Sequence, residues 1–224
     1  MRRIVLDTET TGLDPGAGHR VVEIGALELV NHIATGERRQ YYLNPERPMP
    51  EEAFRIHGLS DSFLADKPRF IEVAEDFLAF LQDSTLVIHN ASFDIGFLNA
   101  ELERVGRQAL APTGVVDTVQ LARQRFPGAQ ASLDALCRRF EIDNSARELH
   151  GALLDCELLA EVYLELRGGR QPGLELSGKR KRAQSQTAPQ VRKARAARAH
   201  QASEAELAAH AAMLERIADP LWKL

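Results

Sequence analysis

The chain has little of what would make it a secreted, membrane-bound or zinc-built protein. Its two cysteines in 224 residues, Cys137 and Cys156, fall in segments of helical pattern without paired-ligand spacing. A disulfide scaffold is thereby excluded, and both read as small apolar core residues of a reduced, cytoplasmic protein. No apolar stretch approaches the roughly 18 residues needed to cross a bilayer. The short run at 4–6 follows two arginines but is stopped at once by Asp7, which argues against a signal peptide. Aromatic residues are scarce at 6%, and the single tryptophan, Trp222, sits at the far end of the sequence.

Basic charge is scarce over most of the chain. The formal net charge is −4, yet eight of the 28 basic residues lie between Ser177 and Gln201, a stretch without an acid. Outside it, 20 basic residues face 32 acidic ones, a body of net −12. Such a body binds phosphate backbones poorly in general, so any nucleic-acid contact must be local or assisted by metal ions. The basic stretch is rich in Ala, Gln and Ser, lacks apolar periodicity and reads as a disordered linker.

What is present is ample apolar content, 44%, in an α/β pattern. Strands are predicted at 3–7, 21–30, 38–43, 85–89 and 114–117. Helices are predicted at 50–57, 69–81, about 92–105, 117–126, 132–140 and 149–166, the last ended by Gly168 and Gly169. Three consecutive strands followed by alternating helices and strands imply one sheet with helices packed on it.

Five polar residues stand in or beside those apolar runs: Asp7 and Glu9 in LDTET, Asp94 in HNASFD, and His150 with Asp155 in HGALLD. A carboxylate at the edge of a core is costly without a compensating cation. Four converging carboxylates repel one another, and a pair of divalent ions is the simple remedy. Residues two apart in a strand face the same side, so Asp7 and Glu9 can share a metal while Thr8 points away. Asp94 follows the fourth strand near a helix start, and Asp155 lies in the first turns of the last helix. His150, five residues earlier, belongs on the loop entering that helix, free to move toward a water molecule. Hard oxygen ligands suit magnesium or manganese, and no histidine or cysteine cluster favours zinc. Two ions about 4 Å apart can hold a scissile phosphate and lower the pKa of a bound water. A histidine of ordinary pKa near 6.5 can take the proton. The set asks for phosphodiester hydrolysis. Taken singly, each residue has a plainer reading: Asp94 as a helix cap, Asp155 as a helix-dipole partner, His150 as a satisfied histidine.

In this order and context, LDTETTGLD, HNASFDIGFL and HGALLDCELLAEVY resemble the three exonuclease motifs of the DEDDh family, over roughly residues 2–170. Within it the chain is most similar to the branch of proofreading subunits of bacterial DNA polymerase III. The resemblance implies a ribonuclease-H-like α/β fold with a mixed five-stranded sheet flanked by helices. It implies two divalent metal ions, Mg2+ or Mn2+, held by Asp7, Glu9, Asp94 and Asp155, with His150 as general base. The activity implied is 3′→5′ removal of mispaired nucleotides from a DNA primer. A related subgroup carries tyrosine four residues before the last aspartate; Gly151 stands there, so the histidine version applies. By similarity, Thr10, Thr11, Gly12 and Leu13 approach the 3′-terminal nucleotide, and His57 in FRIHGLS matches a segment near the terminal base. On its own sequence His57 is a helix C-terminal residue beside a glycine cap. His89 and Asn90 read as braces of a strand end, and Phe93 and Phe97 as core, one of them open to lining the nucleotide pocket. Two other readings stay open. One is an RNA-directed enzyme of the same family, ribonuclease T-like or oligoribonuclease-like; the other is a non-catalytic scaffold of a polymerase complex.

Beyond an exonuclease region at 1–170, the tail divides into 171–176, a basic linker at 177–202 and a terminal segment at 203–224. Gln171, Leu174 and Leu176 resemble the short peptides that dock on the bacterial sliding clamp. As a flexible coil the linker spans about 25–30 Å. Ser203 and Glu206 form a capping-box pattern opening a helix to 217. Its Leu214 and Ile217, with Leu221 and Trp222, resemble the segment by which such subunits bind the catalytic (alpha) subunit of the polymerase. A helix this short is marginal alone; its plainer reading is a helix folded back on the body.

Overall fold

The computed structural model describes residues 1–111, 114–145, 147, 149–169 and 201–217. The chain divides into two units, Met1–Leu174 and Glu175–Leu224.

The first unit is organised by β1 (Arg2–Thr10), whose side chains alternate between two apolar layers. Ile4 and Leu6 enter one layer with Phe77, Phe97 and Leu98; Val5 enters the other with Leu136, Leu159 and Val162. Around it lie β2 (Val21–Val30), β3 (Ile33–Tyr42), β4 (Thr85–Ile88) and β5 (Val115–Asp117), in the order β3-β2-β1-β4-β5. β2 is antiparallel to both β1 and β3, whereas β1, β4 and β5 run parallel. This is the mixed five-stranded, ribonuclease-H-like sheet. The helices are α1 (Glu51–His57), α2 (Asp61–Leu64), α3 (Phe70–Leu81), α4 (Ala91–Arg104), α5 (Thr118–Arg125), α6 (Leu133–Phe140) and α7 (Ala152–Leu166). α3 and α4 cover the Ile4 side; α5, α6 and α7 cover the Val5 side.

β1 runs on to Thr10 rather than ending at 7, and three further departures from the sequence pattern have local reasons. β3 begins at Ile33 rather than 38, because Asn31 and His32 (φ 52° and 70°) make a two-residue hairpin that pairs Val30 with Ile33. The first six residues of β3 are exposed and carry no apolar alternation, so nothing announced them as strand. α7 begins at Ala152 rather than 149, because Gly151 is extended (φ −153°, ψ 123°) and leaves His150 on the preceding loop. α2, missed altogether, is a four-residue helix capped by Ser60 Oγ, which accepts from the Phe63 amide at 3.2 Å.

α7 lies across β1 and β2. Its approach is close enough that a Cβ on Gly25 of β2 would stand 2.4 Å from the Ala152 carbonyl carbon. Glycine at 25 thus sets how low the helix start sits on the sheet. Cys137 and Cys156 are free and buried, as their apolar settings imply. Among the described residues, no helix is long and apolar enough to cross a membrane.

The second unit contains α8 (Glu204–Glu215). Its capping box is formed: Ser203 Oγ accepts from the Glu206 amide at 3.3 Å, and Glu206 Oε2 accepts from the Ser203 amide at 2.8 Å. α8 buries none of its residues, and Leu207, Met213 and Ile217 stand exposed, with Leu214 half-buried. Gln171, Leu174, Leu176, Leu221 and Trp222, and the linker through residue 200, lie outside the described residues.

Candidate active site

The alternation of β1 decides which helix each site residue meets. Asp7 and Glu9 continue the Val5 side, toward α7 and its Asp155; Thr8 continues the Ile4 side, toward α4 and its Asp94. Thr8 Oγ1 donates to Asp94 Oδ1 at 2.7 Å, so the residue expected to point away anchors the carboxylate arriving from the far side of the strand. Glu9, His150 and Asp155 each offer a ligand atom, all within 4.8 Å of one another. Asp7 is half-buried, while Glu9, Asp94 and Asp155 are buried.

The electrostatics follow from that crowding. Burial pushes Glu9 up to about 8, and the charges of Asp155, Glu23 and Asp94 add to it. Asp94 is raised to about 7, by burial first, with the hydrogen bonds from Thr8 and the backbone opposing. Asp7 is raised well above the ordinary carboxylate range by loss of solvent, then by the charges of Asp94, Asp155 and Glu9. Asp155 alone is lowered: burial would raise it, but the neighbouring His150 and the hydrogen bonds and charge of Arg147 outweigh that. A set of hard oxygens that holds protons near neutrality for want of positive charge fits divalent cations.

His150 is half exposed, and its amide donates to the Ile56 carbonyl at 3.1 Å, pinning the loop to the end of α1. Beside the cluster opens a cleft of about 480 Å³, lined by Thr10, Thr11, Gly12, Leu13, His57 and Phe93. Two of these are occupied within the protein. Thr10 Oγ1 donates to the Gly12 carbonyl at 2.6 Å, and Thr11 Oγ1 accepts from the Arg20 amide at 3.0 Å. A Cβ at Gly12 would fall 2.3 Å from the His19 ring, so any side chain there requires that ring to move. Leu13, by contrast, is 84% exposed, an apolar side chain held out into solvent at the cleft. His57 ends α1 beside Gly58, as its sequence implies, yet it is buried. Its Nδ1 accepts from the Leu59 amide at 3.1 Å, which leaves the proton of a neutral ring on Nε2. That Nε2 is buried without a partner, an orphaned donor in the cleft wall. Phe97 belongs to the core and Phe93 to the cleft; His89 braces the strand end through Thr118 Oγ1 at 2.9 Å.

Sequence reasoning passed over two residues. Arg147 donates to both carboxylate oxygens of Asp155, at 2.5 and 2.7 Å. Glu23, buried on β2 opposite Glu9, accepts from Gln40 Nε2 at 2.8 Å. Burial raises its pKa, against hydrogen bonds from Gln40 and from the Ala152 and Leu153 amides. Those amides open α7, whose N-cap Gly151 has no side chain to satisfy them, and Glu23 sets a carboxylate near them from across the sheet. The one signal for it was an acid in the otherwise apolar start of a strand, VVEIGAL.

A ribonuclease-H-like sheet, an acidic cluster suited to divalent metal at the carboxyl ends of β1 and β4, and a cleft beside it define a metal-dependent nuclease. The chain belongs to the exonuclease family, whose model, described as Exonuclease, matches residues 4–163. It is 58% identical over 182 residues to a DNA polymerase III subunit epsilon of Rickettsia prowazekii (strain Madrid E), covering 80% of each chain. It is 46% identical over 226 residues to a DNA polymerase III subunit epsilon of Escherichia coli (strain K12), covering 96% of this chain and 93% of the relative. Among solved structures, exonuclease X in complex with 5′ overhanging duplex DNA matches with a TM-score of 0.57 and 27% identity, over 73% of this chain and 90% of that one.

Proposed function

We propose that this chain is the proofreading 3′→5′ exonuclease of a DNA polymerase III, its epsilon subunit, and removes mispaired 3′-terminal nucleotides from DNA. The observation that carries the reading is that Glu9, His150 and Asp155 bring ligand atoms within 4.8 Å of one another beside the cleft, with Asp7 and Asp94 near enough for their charges to act on one another. The four carboxylates hold two divalent ions, Mg2+ or Mn2+. Bound there, the ions supply the positive charge that steadies the scissile phosphodiester and eases deprotonation of water.

The remaining chemistry falls to the chain's own groups. His150, half exposed at the edge of the cluster, takes the proton of the attacking water. Thr8 holds Asp94 in one orientation from the opposite face of β1. Leu13 and Phe93 offer apolar surface to the terminal base, and His57 stands in the cleft wall beside them. Thr10, Thr11 and Gly12 shape the turn that presents Leu13. Preference for a mispaired end follows because unpaired nucleotides cost less to separate than paired ones.

The layout proposed for the whole chain is an exonuclease domain at 1–170, a sliding-clamp peptide at 171–176, a linker at 177–202 and a polymerase-docking segment at 203–224. The alpha subunit receives Leu214, Ile217, Leu221 and Trp222, and the clamp receives Gln171, Leu174 and Leu176. An unburied α8 with exposed Leu207, Met213 and Ile217 supports the docking role. The two free, buried thiols accord with work in the cytoplasm.

Asp7→Ala and Asp155→Ala are each expected to abolish hydrolysis while the fold survives, read by primer shortening and by circular dichroism. Metal-dependent activity surviving Asp7→Ala overturns the site. Deleting 177–224 is expected to spare hydrolysis and to end co-migration with the alpha subunit.

A further inference from the structure

Arg147 occupies the place in the cluster where a cation does most. Its Nε and Nη2 donate to Asp155 Oδ1 and Oδ2 at 2.5 and 2.7 Å, so both oxygens of that carboxylate are engaged. Nη2 also lies 2.9 Å from His150 Nδ1, closer than the 3.5 Å from that nitrogen to Asp155 Oδ2. An arginine cannot accept, so the shorter contact makes Nδ1 the acceptor and ties up the lone pair of the neutral ring. Nη1 donates to Asp134 Oδ1 of α6 at 2.8 Å. The guanidinium side chain is 9% exposed, and its charge opposes the repulsion felt by Asp7 and Glu9. The planar fork matches a carboxylate with two parallel bonds, a fit that lysine lacks.

We propose that Arg147 is the resident counter-cation of the carboxylate cluster and competes with the divalent metal for Asp155. The inference rests on the metal-site reading above. An ion that takes Asp155 Oδ2 competes with the Nη2 prong of the fork, and with it the hold on His150. Asp134 gives the displaced guanidinium a carboxylate to remain on, 45% exposed at the start of α6 and outside the metal-suited trio. In this way the residue that keeps the cluster tolerable without metal also ties down the general base until metal arrives. Arg147 is a positioning residue; it acts through Asp155 and His150.

The test follows Mn2+ binding to the full-length, metal-free chain by the loss of the free Mn2+ electron paramagnetic resonance signal, with thermal melts in chelator alongside. A hydrogen bond between charged groups contributes about 1.5–3 kcal/mol net, so Arg147→Gln is expected to tighten Mn2+ binding about tenfold or more. The same variant is expected to melt lower than the parent in chelator and to gain more from Mn2+. Arg147→Lys, which keeps the charge and loses the fork, is expected to bind Mn2+ more tightly than the parent too. It serves as well should the Gln variant fail to fold. Equal or weaker Mn2+ binding by Arg147→Gln, or parental affinity in Arg147→Lys, overturns the competition. A folded parent chain that binds no Mn2+ at all removes the metal-site reading itself and this inference with it.

Discussion

Gly25→Ala adds a single methyl on β2, opposite Asp7 in the sheet and beneath the start of α7, and it is expected to damage catalysis. The added Cβ would meet the Ala152 carbonyl carbon at 2.4 Å, its oxygen at 2.5 Å and the Leu153 nitrogen at 2.6 Å. All three are backbone atoms of the helix start and have no rotamer into which to retreat. Restoring an ordinary contact of 3.4 Å requires the first turn of α7 to lift from β2 by about 1 Å. Overpacking of this kind costs about 1–3 kcal/mol. Spread over a unit of this size, that is a fall in Tm of about 2–4 °C for each kcal/mol. The larger effect is positional, because Asp155 rides on that turn and His150 on the residues before it. A misplacement of about 1 Å costs on the order of a hundredfold in rate. The assay is single-turnover shortening of a labelled primer at saturating metal, run beside a thermal melt. Turnover within twofold of the parent would refute the reasoning that the β2–α7 spacing sets the geometry of the site.

Glu23→Ala removes the carboxylate beside the open start of α7; a lost helix cap costs about 0.5–2 kcal/mol, so a lower Tm and reduced turnover are expected, and parental values of both contradict a capping role. Because Glu9 and Asp94 are raised to about 8 and about 7 from ordinary values of 4.5 and 3.8, the metal-free fold keeps protons that the unfolded chain releases. Its stability is therefore fully present below the ordinary carboxylate values and falls as pH rises through 7 to 8. Calorimetry in chelator from pH 5 to 9 reads this, and a flat or rising Tm contradicts it; a divalent ion is expected to lessen the fall. His57→Phe keeps a ring in the cleft wall but removes both nitrogens, including the Nδ1 that accepts from the Leu59 amide, so KM for primer is expected to rise about tenfold with a lower Tm, and an unaltered KM removes His57 from the cleft's contacts.

Much of the site was legible because its residues obey local periodicities. Asp7, Thr8 and Glu9 alternate in an apolar strand, and Asp94 and Asp155 stand in the first turns of helices that follow readable apolar runs. Even the placement of His150 off the helix follows from a five-residue interval that one helical face cannot supply. The unread parts depend on partners distant in sequence. Thr8 reaches Asp94 across 86 positions, and Glu23 stands near the amides at 152 and 153, which no local pattern signals. Arg147 has the opposite difficulty: its partners Asp134, His150 and Asp155 are near in sequence, but the loop carrying it has no periodicity to fix a direction. The early start of β3 was hidden for a third reason, since an edge strand with six exposed residues has no buried face to pattern.

The most direct measurement uses a 5′-labelled DNA primer-template bearing one 3′ mismatch, with Mg2+ and then with chelator, beside a matched primer and an RNA oligomer of the same sequence. Stepwise shortening from the 3′ end, faster for the mismatched than the matched primer, slower on RNA and absent in chelator, is the expected result. A folded protein that leaves the mismatched DNA intact in the presence of metal, or that degrades the RNA in preference, contradicts proofreading as the function.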